Sequence, residues 1–275
     1  MGSCESATMA PKAETEMVTE ETKKNKIKDD LEIWKKTPIK IGVIGQSGVG
    51  KSTFMNQFRG LNPKYDKFSK DSAGNNLWAE VGTTETTSEI KSYEFKENHL
   101  MKLYDLPGAG SINFPIDSYH EKIDIKRYDA FIFLAKSRFF ENDLKILDKI
   151  RKMKKQYYFA RTHIDIDLQN YADDNPEHFI EKEYTKQVLE QEMTKIKEVS
   201  KEKLLRQGQD VDEVFLISKF SKFEVSVNRK FAVEVIPDNT RLKMSILENF
   251  SDVKKTAFVF SMGDTDCKAG VDIFH

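Results

Sequence analysis

From residue 39 onward, short apolar runs alternate with longer stretches that carry apolar residues at helical spacing. The run Ile39–Ile44 is rich in β-branched residues and enters a glycine-rich turn, which predicts a buried strand followed by a helix over about 50–59. Residues 61–87 are polar and rich in glycine and threonine, and read as loop. Two strands are then expected at 88–95 and 100–106, joined by a polar turn around Glu97 and Asn98 and forming the antiparallel pair of the sheet. Further buried strands are expected at Ala130–Ala135, 157–162 and 214–218, with a charged helix over about 141–155. Ile180, Tyr184, Val188, Met193, Ile196 and Val199 mark a long helix whose outer face is charged and whose apolar stripe belongs to the core. A weak alternation over 223–236 suggests a hairpin, and 242–250 a last helix.

Strands alternating with helices imply an α/β fold: a mostly parallel sheet with one antiparallel strand, helices on both faces, and ligands at the carboxyl ends of the strands. The expected organisation is a polar arm over 1–38, one domain over 39–255 and a tail over 256–275. In the arm, Ile27, Leu31 and Trp34 recur at helical spacing before Pro38, so it is read as partly helical, with a loosely held solvated arm as the alternative.

Composition narrows the function classes. A formal net charge of -1 makes nucleic acid an unexpected partner. The two cysteines, Cys4 and Cys267, offer neither a disulfide framework nor a zinc-ligand pattern, which fits a reducing, cytoplasmic compartment. The apolar runs fall short of the roughly 20 residues that a spanning helix needs.

The segment Gly45-Gln46-Ser47-Gly48-Val49-Gly50-Lys51-Ser52 matches the phosphate-binding loop G-x-x-x-x-G-K-[ST] and sits where a strand passes into a helix. Its glycines let backbone amides and the helix N-terminus face the phosphates. Lys51 is expected at the β- and γ-phosphates, and Ser52 on a magnesium ion. Asp105-Leu106-Pro107-Gly108 ends a later strand, where Asp105 would hold the metal through water and the Gly108 amide would sense the γ-phosphate. A switch-loop hydroxyl would complete the metal set; Thr87 is assigned to it, although sequence does not separate it from Thr83, Thr84 and Thr86.

Guanine is selected by a carboxylate that accepts from the base's N1 and N2 hydrogens, usually within [N/T]-K-x-D. Thr162-His163-Ile164-Asp165 occupies that place, with Asp165 as the reader and His163 where the lysine would cover the base; an imidazole also stacks on a purine. Ser218 and Lys219 follow the next strand and offer a backbone donor for the guanine oxygen. GTP is thus favoured over ATP. At the N-terminus, Met1-Gly2-Ser3-Cys4-Glu5-Ser6 fits M-G-x-x-x-[ST], with Gly2 open to myristoylation and Cys4 to palmitoylation; a chance Met-Gly start is the alternative.

Over about residues 30–260 the sequence resembles the immunity-related GTPase family. The likeness rests on the phosphate loop, on Val81-Gly82-Thr83-Thr84-Glu85-Thr86-Thr87, on Tyr158-Phe159-Ala160-Arg161-Thr162, and most on the stretch from Tyr104-Asp105-Leu106-Pro107-Gly108 through Ala109-Gly110-Ser111-Ile112-Asn113-Phe114-Pro115. The resemblance implies a Ras-like G domain and a dynamin-like GTPase that assembles as a nucleotide-dependent dimer or oligomer on intracellular membranes in cell-autonomous immunity. It also implies that Glu85 takes part in catalysis across that dimer, alongside Lys51 and Gly108. Two departures stand out: His163 in the base motif, and a likeness that fades after about Ser261, so that most of the family's C-terminal helical domain is expected to be lacking. Ala109 stands where Ras-like enzymes carry a water-orienting glutamine. A nucleotide-binding regulator with little hydrolysis is the second reading, and an ATPase sharing only the phosphate loop the third.

Overall fold

A computed structural model describes residues 36–81, 89–108, 114–137, 139, 141–179, 181–209, 211–227 and 231–262. The described chain runs β1 (Ile39–Ile44), α1 (Lys51–Phe58), β2 (Lys91–Phe95), β3 (Asn98–Asp105), a one-turn α2 (Tyr119–Lys122) and β4 (Ala130–Ala135). It continues with α3 (Glu141–Lys152), β5 (Gln156–Arg161), α4 (Ile164–Asp174), α5 (Lys182–Arg206), β6 (Val214–Leu216), β7 (Phe223–Val227), β8 (Phe231–Val235), α6 (Asn239–Glu248) and α7 (Asp252–Ser261). The main sheet has the order β2-β3-β1-β4-β5-β6, with only β2 antiparallel, as the hydrophobic pattern predicts.

Burial explains the pattern. Every residue of β4 is buried, because helices cover both faces of the parallel strands, whereas the edge strand β2 exposes Lys91 and Ser92. On one face Met55 and Phe58 of α1 pack with Ile246 of α6 and Phe258 of α7; on the other, Leu147 and Ile150 of α3 pack with Tyr119, Tyr128 and Leu204. The β7–β8 hairpin closes a smaller third cluster against α4 and α5 through Val225, Val233, Leu168 and Leu189.

The differences from the sequence reading have local causes. The turn between β2 and β3 falls at Lys96 and Glu97, while Asn98 begins β3 and is buried, its carboxamide oxygen accepting from the Leu100 amide at 2.9 Å. Helix α4 is absent from the sequence reading, because four aspartates and only Ile164, Leu168 and Ala172 on its inner face make its periodicity weak. Helix α7 runs across residue 255, and its Ala257 and Phe258 are buried.

Arg59, just past α1, is a buried cation that staples the loop after the helix to the sheet. Its guanidinium donates to the carbonyls of Met55, Leu77 and Glu94 and to Asn56 Oδ1, all within 3.0 Å. Burial brings its pKa down to about 10, still high enough to keep it charged at neutral pH. Arg59→Met keeps the aliphatic stem but strands these acceptors, so it should destabilise the domain by about 3 kcal/mol in urea unfolding. An unchanged midpoint would show that water satisfies the carbonyls.

Candidate functional site

The phosphate loop is held open by its own backbone. Gly48 and Gly50 have φ of 79° and 86°, which residues with a Cβ rarely adopt, and a Cβ at Gly45 would lie 2.7 Å from the carbonyl oxygen of Leu134. The register Val43↔Asp105 places the acid at the end of β3 beside the strand that feeds the loop. Lys51, the first residue of α1, folds back so that Nζ donates to the Gly45 carbonyl at 2.9 Å, and it lies 3.9 Å from Asp105 Oδ1. Burial lowers the Lys51 pKa, and the charges of Asp105 and Asp143 oppose that shift. Asp143 is a site residue that the sequence reading misses. It sits in the first turn of α3, is almost fully buried, and accepts from Gln46 Nε2 at 3.4 Å. Nothing in the sequence distinguishes it from the other acids of that helix. Gly108 lies against the same Gln46 side chain, about 3.5 Å from where its Cβ would be.

The base motif meets this loop from β5. The Thr162 hydroxyl lies 2.9 Å from the Val49 carbonyl oxygen and 2.8 Å from His163 Nδ1. A hydroxyl has one proton, which goes to the carbonyl, so the neutral imidazole carries its own proton on Nδ1 and presents Nε2 as an acceptor. His163 caps α4 at φ 64°, a left-handed conformation, and its Cε1 approaches to 3.4 Å of where a Cβ on Gly50 would stand. Asp165 lies in the first turn of α4, where Ser218 Oγ donates to its Oδ1 at 3.0 Å and fixes the carboxylate's rotation. The Ser218 amide is engaged by Asn239 Oδ1 at 3.1 Å, which leaves the Lys219 amide as the candidate donor to a guanine oxygen. Asn239 also donates to the carbonyls of Ser218 and Phe220 and so pins the loop; it is legible in the sequence only as a polar residue near a helix start. Gly50, Thr53, Phe54, Thr162, His163, Asp165, Ile166, Ile217, Ser218 and Lys219 enclose a cavity of about 250 Å³. A larger groove of about 940 Å³ lies between α5 and β8, lined by mixed lysines and glutamates, but only the smaller one adjoins the phosphate loop. Among the predicted site residues, Glu85, Thr87, Gly2 and Cys4 fall outside the described residues, as do Thr83, Thr84, Thr86 and Ala109.

Burial lowers the His163 pKa, reinforced by the positive charge of Lys136, while Asp165 and Asp167 oppose the shift and Lys219 adds to it. A histidine held below its unfolded value near 6.5 contributes stability that is present above that pH and lost as pH falls through the folded pKa. Melting temperature should therefore drop as pH falls below about 6.5, and His163→Gln should flatten that slope; equal slopes would remove His163 from the titration.

Comparison with known proteins bears on this arrangement. The family model for Interferon-inducible GTPase (IIGP) matches residues 11–229. The chain is similar to Interferon-gamma-inducible GTPase 10 of Mus musculus, 31% identical over 212 residues, covering 75% of this chain and 46% of that protein. It is also similar to Interferon-inducible GTPase 1 of Mus musculus, 36% identical over 153 residues, covering 56% and 35%. It thus spans less than half the length of these relatives. A solved structure of an Era variant from Aquifex aeolicus bound to GDP.AlF4- overlaps 78% of this chain and 57% of that one, at 14% identity and a TM-score of 0.40. At that level the strand order, not the overlap, carries the fold assignment.

Proposed function

Because this chain belongs to the interferon-inducible GTPase family, we propose that it binds GTP in the cavity between the phosphate loop and Asp165 and hydrolyses it to GDP and phosphate. The observation that carries the reading is the bond from Thr162 to the Val49 carbonyl, which locks the base-reading segment onto the phosphate-binding segment. One ligand with a purine at Asp165 and phosphates at Gly45 to Ser52 then spans both.

The residues present fit a magnesium ion. Ser52 would offer a hard oxygen donor and Asp105 would hold a metal-bound water from the adjoining strand, with Thr87 as the proposed second hydroxyl and water and phosphate oxygens completing the six that Mg²⁺ requires. When bound, the ion neutralises the β- and γ-phosphate oxygens. The rest falls to this chain: Lys51 leaves its loop carbonyls for the phosphates, the loop amides and Gly108 hold the transferring group, and Glu85 helps organise the dimer face. Since the Ala109 side chain has no polar group with which to orient water, hydrolysis depends on that face, and specific activity should rise with protein concentration. A flat specific activity with measurable turnover would remove the dimer from the mechanism.

In the cell the reading is a cytoplasmic protein attached peripherally to intracellular membranes in innate immunity, through acylation at Gly2 and Cys4. One acyl chain gives only marginal binding, so a second signal is part of the proposal. The alternative, a regulator that binds GTP and hydrolyses it poorly, is favoured by His163 and Ala109.

A further inference from the structure

The end of the domain opposite the nucleotide cavity carries an unusual surface. After α1 the chain makes a series of turns, held by hydrogen bonds from the amides of Tyr65 and Asp66 to the Asn62 carbonyl and from Ser69 to the Asp66 carbonyl. The turns sort their side chains by chemistry. Asp66 points inward, is buried, and accepts from the Asn62 amide at 2.9 Å and from Lys96 Nζ at 3.0 Å. Asp71 is turned onto the backbone, its Oδ1 accepting from the amides of Ala73 and Asn75. Tyr65 and Phe68 point outward with 69% and 87% of their surface exposed, between the exposed Lys64, Lys67 and Lys70. Lys64 Nζ stands 5.3 Å from the centre of the Tyr65 ring, and Lys67 Nζ 6.0 Å from that of Phe68.

We propose that this turn segment, with Tyr65 and Phe68 as wedges and Lys64, Lys67 and Lys70 as charges, docks the domain on a membrane surface bearing anionic lipid. Aromatic rings settle at the boundary between headgroup and acyl chain, and lysines beside them meet negative headgroups while their stems stay with the apolar part. Within the segment the Asp66 carboxylate is buried against Lys96 and Asp71 is engaged by backbone amides, so the displayed side chains are the two rings and the lysines. Position agrees with chemistry. Lys96 ties the segment to the β2–β3 turn, and the pairing Ile39↔Met101 shows that the chain enters β1 at that same end of the sheet. The patch would then be the second signal that stable attachment requires beside a lipid on the arm.

The inference rests on the reading of the chain as a peripheral membrane protein, and the test separates the two. The 275-residue chain, made in a bacterial host so that Gly2 is unacylated, is floated with phosphatidylcholine vesicles containing roughly a third phosphatidylserine, and with phosphatidylcholine alone. Preferential binding to the anionic vesicles is expected. Tyr65→Ser with Phe68→Ser, and separately Lys64→Glu with Lys67→Glu, should each weaken it by about tenfold or more, with thermal unfolding unchanged. Phe68→Trp provides an independent readout: beyond the emission of Trp34 and Trp78, measured in the parent chain, the introduced indole should add a blue shift on anionic vesicles only. Anionic-vesicle binding that survives both double variants, or an indole that stays in water, overturns the patch but leaves peripheral attachment standing. Self-association that is abolished by Phe68→Ser, without vesicle binding, assigns the surface to a second copy of the chain and also overturns the proposal. If the myristoylated chain also fails to float, the broader membrane reading fails with it.

Discussion

Asp165→Asn should bind GTP and GDP at least roughly a hundredfold more weakly and accept xanthosine nucleotides in their place. Guanine offers its N1 and N2 hydrogens to the carboxylate, and an ionised acceptor for two donors is the strongest selective contact the cavity can make. The geometry makes the swap specific. Ser218 Oγ donates to Asp165 Oδ1 at 3.0 Å, so an asparagine held by the same hydroxyl keeps its oxygen there and turns its amide hydrogens toward the base. Those hydrogens repel guanine's N2 amino group but meet the 2-carbonyl of xanthine. Competition of labelled GDP by unlabelled GDP and XDP measures both effects. Equal loss of both ligands would mean that the substitution damages the loop instead of changing what it reads.

Lys51→Met should reduce GTP hydrolysis by about a thousandfold while leaving the domain folded. Lys51 is buried beside Asp105 and Asp143, and burial already lowers its pKa, so the site holds a cation at an electrostatic disadvantage that a polyphosphate relieves. Methionine fills a similar volume without the charge. Turnover with saturating GTP, read beside thermal unfolding, distinguishes a lost phosphate contact from a lost fold. A variant that keeps most of its turnover would show that the loop amides hold the phosphates without Lys51.

The parts of this protein that follow strict periodicities are readable in the sequence. Ile39–Ile44, Ala130–Ala135 and the phosphate loop between strand and helix need no tertiary information, because an apolar run and a fixed glycine spacing each determine their own local structure. Asp165 and Thr162 are readable as a spaced pair at the end of a strand. What stays hidden depends on partners distant in the chain. Asp143 becomes part of the phosphate site only when α3 brings it under Gln46, 97 residues away in sequence, and Asn239 orders the Ser218 loop from 21 residues beyond it. Helix α4 escapes a sequence reading because its stability comes from packing Ile164 and Leu168 against the β7–β8 hairpin, not from helix propensity. The outward display of Tyr65 and Phe68 is equally invisible, since a turn-rich segment has no periodicity to say which side faces water.

Single-turnover hydrolysis with protein in excess decides whether one cavity joins a guanine reader to a phosphate loop that cleaves GTP. Labelled GTP with Mg²⁺ and unlabelled ATP as competitor should be converted to GDP and phosphate at a rate that ATP leaves unchanged. GTP that is displaced by ATP would contradict the role of Asp165, and GTP that stays bound but intact would replace the enzyme with a nucleotide-binding regulator.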